Sequence, residues 1–181
     1  RSCRQAQCAD ARDAELERAS RLPSRDRGDW VDANGNRVPA GHGTFRPRET
    51  LPNGEPNPLY DALSRHQDPN SSNFGIPYQN GQPDLSGFPP PGRHNSDANG
   101  NIYRVEIEQN MDSSLTSEAR RTADRNATWG QWRQDYPNRR DPSGGRWHHD
   151  TDGVTMLYVD RDIHDHLSHQ GSASMNVDLE F

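Results

Sequence analysis

The clearest alternation of apolar and polar positions in the first two-thirds of the chain lies at residues 102–109. Tyr103, Val105 and Ile107 fall on one face of this segment, and mostly charged residues fall on the other. A period of two residues is typical of a strand with one buried face. The pattern therefore predicts a half-buried strand.

A second pattern of short apolar segments lies near the end of the chain. Residues 147–150 and 155–159 read as two short strands, and Asp152-Gly153 between them suits a turn with positive φ. Asp160 then provides an N-cap for a helix predicted over residues 161–168. The expected order of elements is strand, strand, helix.

Four further elements are predicted upstream. Residues 5–22 are rich in Ala, Glu and Arg and precede Pro23, which is typical of a helix with a proline stop. An Asn-Gly turn predicts a small hairpin at residues 29–38, and a short helix is expected at residues 59–65. Residues 114–126 predict another helix, whose arginines either face solvent or contact phosphate.

Two smaller features concern turns and core packing. The string Asp-Ala-Asn-Gly-Asn occurs at residues 32–36 and again at 97–101, which indicates shared turn chemistry rather than a true repeat. Trp129 and Trp132 are three positions apart, and tryptophans so placed usually anchor a core. We therefore expect both rings to pack inside the domain.

The composition limits the size of that core. Apolar residues are 28% of the 181 residues, and the chain contains 15 glycines and 14 prolines. Typical domains are more apolar, so we expect a small core wrapped by long loops, with disorder as the alternative in parts of residues 40–100.

Cys3 and Cys8 are too few for a disulfide framework or a zinc cluster. No apolar run approaches a membrane span, and the start at Arg1 indicates a fragment of a longer protein.

The charge balance gives mixed information about a nucleic-acid partner. The formal net charge is −6, whereas proteins that bind phosphate backbones usually carry a basic surface. All 21 basic residues are arginines, however, and a guanidinium can bind phosphate through two parallel hydrogen bonds. A domain with a local basic groove is therefore compatible with this composition.

Histidines are concentrated in the strand–strand–helix segment, where five of the eight lie between His148 and His169. Adjacent residues of a strand point to opposite faces, so His148 and His149 can divide two roles, metal binding and activation of water. A helix histidine would complete a metal site of the kind that stabilises charge in phosphodiester hydrolysis. His164 and His169 are about 140° apart around a helix, whereas His166 and His169 share a face, so His166 is an alternative ligand.

The same residues resemble a known family. Trp147-His148-His149, the string at residues 155–164 and the terminal His169-Gln170-Gly171 resemble the Trp-His-His toxin nucleases of the HNH/endonuclease VII superfamily. Residues 75–86 resemble the segment that precedes the catalytic part of such toxins, and the resemblance covers roughly residues 74–175.

The resemblance implies a fold, an activity and partners. It implies an α+β domain with a ββα-metal (His-Me finger) unit at its C-terminus, wrapped by loop-rich N-terminal segments. It also implies one divalent ion, Mg²⁺ or Zn²⁺ with Mn²⁺ or Ni²⁺ as alternatives, and largely non-specific DNA cleavage. Such a domain is the end of a polymorphic bacterial toxin, secreted by one cell through a contact-dependent or type VI-like system and delivered to the cytoplasm of another. Its expected partners are DNA and an immunity protein, with no membrane and no second copy.

Carried over to this chain, the resemblance assigns a role to each of four histidines. His149 matches the general base, His148 and His164 match metal ligands, and His169 matches a further ligand or a phosphate contact. We accordingly expect a nuclease domain over residues 74–181.

Three features of the chain are less tightly tied to the family pattern. Arg146 and Arg161 flank the unit and are candidate phosphate contacts, with plain surface positions as the alternative. Asp150 stands where family members often have a third histidine, and it could orient a histidine or simply lie beside the turn. Residues 1–73 fall outside the resemblance and are predicted to form a loop-rich arm, either a linker or a pre-toxin segment.

Two other functions fit the same residues. The histidines could bind a metal ion that only stabilises a small protein-interaction module, because a structural metal contributes directly to folding. An RNase on the same fold would differ only in its substrate, and no feature that recognises a 2′-hydroxyl is visible in the sequence.

Overall fold

The structure, a computed structural model, describes residues 22–108, 110–150 and 152–167. These residues form seven strands and three α-helices. The strands are β1 Gly28–Val31, β2 Gly43–Pro47, β3 Ile76–Gln79, β4 Gln82–Pro83, β5 Arg104–Glu106, β6 Gly145–His149 and β7 Thr155–Asp160. The helices are α1 Pro58–Leu63, α2 Ser117–Asp135 and α3 Arg161–His166, with a 3-10 turn at Arg93–Asn95.

The described residues belong to two compact units. One contains the chain up to Asp84 together with residues 165–167, and the other is continuous from Leu85 to His164. The boundary predicted between residues 73 and 74 stays a prediction, although β3 begins just after it and pairs with β2 in the first unit. None of the described helices is both long and apolar enough to span a membrane.

The first unit contains an antiparallel sheet in the order β1-β2-β3-β4. Trp30 and Phe45 are register partners on β1 and β2, and their ring centroids lie 5.0 Å apart. Tyr78 of β3 packs edge-on against Trp30 with centroids 4.7 Å apart. The short helix expected near residue 59 is α1, whose first turn is capped by the side chain of Asn57 accepting from the Leu59 N–H.

The two Asp-Ala-Asn-Gly-Asn strings fold into the same turn. In each, the aspartate Oδ1 accepts the N–H groups of the two asparagines at 2.9 Å. Gly35 and Gly100 adopt φ of 80° and 79°, a conformation that glycine reaches without steric cost. The same turn chemistry thus occurs once in each unit.

The second unit contains a three-stranded antiparallel sheet with β7 in the centre, in the order β5-β7-β6. All six side chains of β7 are buried. The predicted apolar face is confirmed, although β5 is shorter than the predicted residues 102–109, because Tyr103, Val105 and Ile107 form one core cluster with residues of α2 and β7. That cluster consists of Tyr103, Val105, Ile107, Trp132, Met156 and Tyr158, with Trp129, Tyr136 and Trp147 packed against it.

Helix α2 is longer than the sequence pattern predicted. The predicted end at Asn126 is wrong, because the helix continues to Asp135 and its C-cap N–H, from Tyr136, bonds to the Trp132 carbonyl at 2.8 Å. Burial of Trp132 at 1% exposure stabilises the second half of the helix and outweighs the weak helix propensity of Gly130. Trp132 belongs to the core cluster and Trp129 packs against it, as predicted.

The segment near the end of the chain folds as strand, strand and helix. Strands β6 and β7 form a hairpin, and α3 follows β7 directly. Asp160 Oδ1 accepts the Asp162 N–H at 2.9 Å, which agrees with its predicted capping role. The protein is thus a mixed α and β structure with small sheets and few helices. The predicted helix at residues 5–22 lies outside the described residues except for Leu22, and Cys3, Cys8 and His169 also lie outside them.

Candidate active site

The side chains of β6 divide between the two faces of the sheet. Trp147 pairs with Tyr158 in the register, and His149 pairs with Met156. Since cross-strand partners share a face and both partners belong to the core cluster, Trp147 and His149 face α2. His148 pairs with Leu157 and lies on the opposite face. The alternation of the two histidines predicted from the sequence is therefore present.

Trp147 fixes the position of β6 against the helix. Its ring lies 5.5 Å from that of Trp129 and 5.0 Å from that of Tyr158, measured between centroids. Aromatic pairs at such distances add to the free energy that burial of their area supplies. The Tyr158 hydroxyl also accepts the N–H of Gly145, the first residue of β6, at 3.1 Å. The strand that carries both histidines is thus held along its length.

On the face away from α2, His148 lies beside His164 of α3. The two ring centroids are 5.4 Å apart, the ring planes meet at 73°, and both side chains are buried. Burial, with smaller contributions from the neighbouring His164 and His149, lowers the pKa of His148 to about 3. His148 is therefore neutral at physiological pH and keeps a lone pair, which is the form that binds metal ions.

These two imidazoles fit part of a metal site. With a Zn–N distance of about 2.0–2.1 Å, two imidazoles bound to one tetrahedral ion have centroids roughly 5 Å apart, close to the spacing observed. Within residues 22–108, 110–150 and 152–167, no group of three or more His, Cys, Asp or Glu is arranged to hold a metal ion. A complete site therefore needs a ligand beyond His148 and His164, and the predicted third ligand, His169, lies outside the described residues.

On the α2 face, His149 contacts a carboxylate. Its Nε2 lies 3.1 Å from Oδ2 of Asp124, which is on the buried side of α2. The other carboxylate oxygen, Oδ1, accepts the N–H of Asn110 at 2.8 Å. Asp124 is 6% exposed, and burial of a carboxylate is costly unless its oxygens are bonded, as both are here.

Asp124 is not among the site residues predicted from the sequence. The polar pattern of residues 114–126 pointed only to the arginines of that helix as candidate contacts. A signal was present, however, because Asp124, Thr128 and Trp132 follow one another at spacings of four and so share a helix face. An aspartate on the same helix face as a core tryptophan is expected to be buried, and a buried carboxylate needs hydrogen-bond partners.

The other predicted residues lie at the edges of the unit. Arg146 is on β6 and Arg161 is the first residue of α3, and both are exposed. His166, the alternative ligand, is exposed at the end of α3. Asp150 Oδ2 lies 3.9 Å from Nη1 of Arg104 on β5. Asp124 supplies a carboxylate that is hydrogen-bonded to the His149 ring.

A comparison with protein families identifies the region that contains this hairpin. Residues 137–177 match the WHH family, a nuclease of the HNH/ENDO VII superfamily with conserved WHH. The family expected from the sequence is thereby confirmed for this region, which covers the hairpin and α3 and leaves Asp124 outside. Comparisons with curated proteins and with solved structures found no match.

Proposed function

We propose that this protein is a metal-dependent endonuclease that hydrolyses DNA phosphodiester bonds with little sequence recognition. The observation that supports it best is the division of roles around β6. His149 is bonded to a carboxylate on one face, and His148 lies beside His164 on the other. A nuclease of the HNH/ENDO VII superfamily is the activity associated with the matching family model.

His149 is the proposed general base. It accepts a proton from the attacking water as the new phosphorus–oxygen bond forms, and the bond from phosphorus to the leaving oxygen breaks. A divalent ion held by His148 and His164 would stabilise the negative charge that develops on the phosphate. Neutral, buried His148 needs no deprotonation before it binds such an ion.

Arg146 and Arg161 are the proposed phosphate contacts. Both are exposed, one on the hairpin and one at the start of the helix that carries His164. A guanidinium keeps its charge and bonds phosphate oxygens directly, so two such contacts would supply a local basic surface despite the net charge of −6. With few phosphate contacts, cleavage should fall as salt concentration rises.

The direct test is nicking of supercoiled plasmid by the purified protein. We expect activity with at least one of Mg²⁺, Mn²⁺, Ni²⁺ and Zn²⁺, and loss of that activity in excess chelator. His149→Ala should lose activity by about 10²–10⁴-fold, the range that general-base catalysis contributes. His42→Ala removes an exposed histidine in the other unit and should cut as the wild type does. Absence of nicking with all four metals would refute the proposal, as would full activity in His149→Ala.

The rival function is a protein-interaction module stabilised by a metal ion. It is distinguished by measuring cleavage and thermal stability together. If His149 is a base, His149→Ala loses cleavage even at temperatures at which it is fully folded, and its melting temperature also falls because Asp124 loses a partner. If the histidines serve only to hold the unit together, the wild type does not cut nucleic acid, and its melting temperature falls when the metal ion is removed. Parallel reactions on single- and double-stranded RNA separate a DNase from an RNase on the same fold.

We further propose that the nuclease is an antibacterial toxin, delivered to the cytoplasm of a target cell and neutralised by an immunity protein. The support is the resemblance of the Trp147-His148-His149 region to toxin nucleases. Expression in the cytoplasm of a bacterial host should stop growth and degrade its DNA, whereas expression of His149→Ala should not. Growth that is equal with both forms would contradict the toxin role.

A further inference from the structure

Asp124 is fixed in place by contacts that come from three separate parts of the second unit. The residue itself lies on α2, its Oδ1 is held by the N–H of Asn110, and its Oδ2 meets the His149 ring on β6. In addition, its main-chain carbonyl accepts the Thr128 hydroxyl at 2.6 Å. A carboxylate bonded through both oxygens and almost fully buried has little freedom to turn.

The bond to Asp124 also determines which nitrogen of His149 carries hydrogen. A carboxylate has no hydrogen to give, so the Nε2 of His149 must be the donor. In a neutral imidazole the other nitrogen, Nδ1, then holds the lone pair. The contact therefore selects one tautomer and one orientation of the ring.

We infer that Asp124 is a positioning residue for His149, which it orients so that Nδ1 is the atom that takes the proton from water. The inference rests on the proposed nuclease function. It adds a residue that lies outside the region matched to the nuclease family, on a helix that packs behind the hairpin. As the ring becomes charged at Nδ1, the adjacent carboxylate also stabilises it.

A purely structural role is the alternative, in which Asp124 only joins α2 to β6. Replacement of Asp124 by asparagine distinguishes the positioning role from the structural role. The substitution preserves the size of the side chain and its hydrogen bonds but changes the tautomer of His149. The Asn110 N–H still needs an acceptor, so the amide oxygen faces Asn110 and the amide NH₂ faces His149. His149 must then accept at Nε2 and carry its hydrogen on Nδ1, where the lone pair is required.

The first readout is the tautomer itself, which does not depend on activity. The protein is labelled with ¹⁵N-histidine and held at pH 8 without metal, and long-range ¹H–¹⁵N correlations distinguish the two nitrogens. The His149 signals are identified by their absence in His149→Ala. We expect Nε2–H in the wild type and Nδ1–H in Asp124→Asn. A wild-type ring with hydrogen on Nδ1 would overturn the inference even if Asp124→Asn fails to fold.

The second readout is plasmid cleavage. We expect Asp124→Asn to lower kcat by about 10²–10⁴-fold with little change in KM, because a base in the wrong tautomer binds DNA but does not accept the proton. The matched control is Asp135→Asn, the same change of charge at an exposed position of the same helix, which should leave both constants unchanged.

The outcomes distinguish this inference from the proposed function. A folded Asp124→Asn that cuts at the wild-type rate refutes the positioning role and leaves the nuclease intact. A wild type that cuts no nucleic acid refutes the nuclease, and the inferred catalytic role of Asp124 is refuted with it. The tautomer comparison then still shows whether Asp124 orients the ring.

Discussion

His148 and His149 are neighbours on β6, yet their rings lie in different surroundings. His148 is buried beside His164 on one face of the sheet, and His149 is bonded to Asp124 on the other. The peptide geometry of a strand imposes this separation, and packing on both faces determines what each ring meets. Two adjacent residues can therefore serve as a metal ligand and as a base without competing for the same contacts.

The first prediction concerns metal binding. His148→Ala should weaken Zn²⁺ or Ni²⁺ binding by tenfold or more, about 1.4 kcal/mol, because one of two adjacent buried imidazoles is lost. His164→Ala should have a similar effect. Isothermal titration calorimetry measures both, with His42→Ala as the control. Unchanged affinity in both variants would exclude this pair as the metal site.

The second prediction concerns the hairpin turn and its pH dependence. The carboxylate of Asp152 accepts the N–H groups of Val154 and Thr155 and the Thr155 hydroxyl, and these bonds lower its pKa. A lowered pKa in the folded state means that the stabilisation is present above the unfolded pKa and is lost as pH falls through the folded value. Asp152→Ala should therefore cost about 1 kcal/mol at pH 7 and less in strong acid.

Urea denaturation at pH 7 and at pH 2.5 measures this difference. Asp152→Asn is the informative comparison, because asparagine keeps an acceptor oxygen for the turn but does not titrate between those values. The difference in the free energy of unfolding between the wild type and Asp152→Asn should be smaller at pH 2.5 than at pH 7. An equal difference at both pH values would show that ionisation of Asp152 contributes nothing to the stability of the turn.

The third prediction concerns the start of β6. A Cβ added at Gly145 would lie 2.6 Å from Cγ of Pro90 and 2.7 Å from the Val159 carbonyl oxygen. Because the oxygen belongs to the backbone of the central strand, Gly145→Ala should destabilise the protein by about 1–3 kcal/mol, as overpacking does. Thermal denaturation measures the resulting decrease in melting temperature.

Gly130→Ala is the matched control for that substitution. Nothing lies within 4 Å of a Cβ built at Gly130, which is exposed in α2. Alanine there should stabilise the helix by up to about 1 kcal/mol. Opposite signs for the two substitutions are the expected result, and a loss of stability in both would contradict the described packing.

The fourth prediction concerns the core of the second unit. Trp132 is 1% exposed and contacts Tyr103 with ring centroids 5.7 Å apart. Trp132→Ala should cost about 3–5 kcal/mol through lost burial and the cavity left behind. Met111→Ala should change stability by less than about 0.5 kcal/mol, because that side chain is 72% exposed. Chemical denaturation measures the free energy of unfolding of both variants. A similar loss in both would contradict the placement of Trp132 in the core.

Local patterns in the sequence determined much of the second unit. Alternation placed Tyr103, Val105 and Ile107 on one buried face, in β5 and on either side of it, and it separated His148 from His149. The Asp-Ala-Asn-Gly-Asn turns also follow from local chemistry, because the aspartate bonds to its own following residues. Such features depend on residues close in the chain, so a single sequence contains the information for them.

The tertiary structure decided what lies across from each of these residues. The length of α2 depends on burial of Trp132, which outweighs a local pattern that favoured a shorter helix. The contact between Asp124 and His149 joins residues 25 positions apart, and the approach of His164 to His148 depends on how α3 follows β7. The sequence by itself determined which side chains share a strand or a turn. Only packing between elements determined which carboxylate meets His149 and which imidazoles meet each other, because distant residues become neighbours only when their elements pack together.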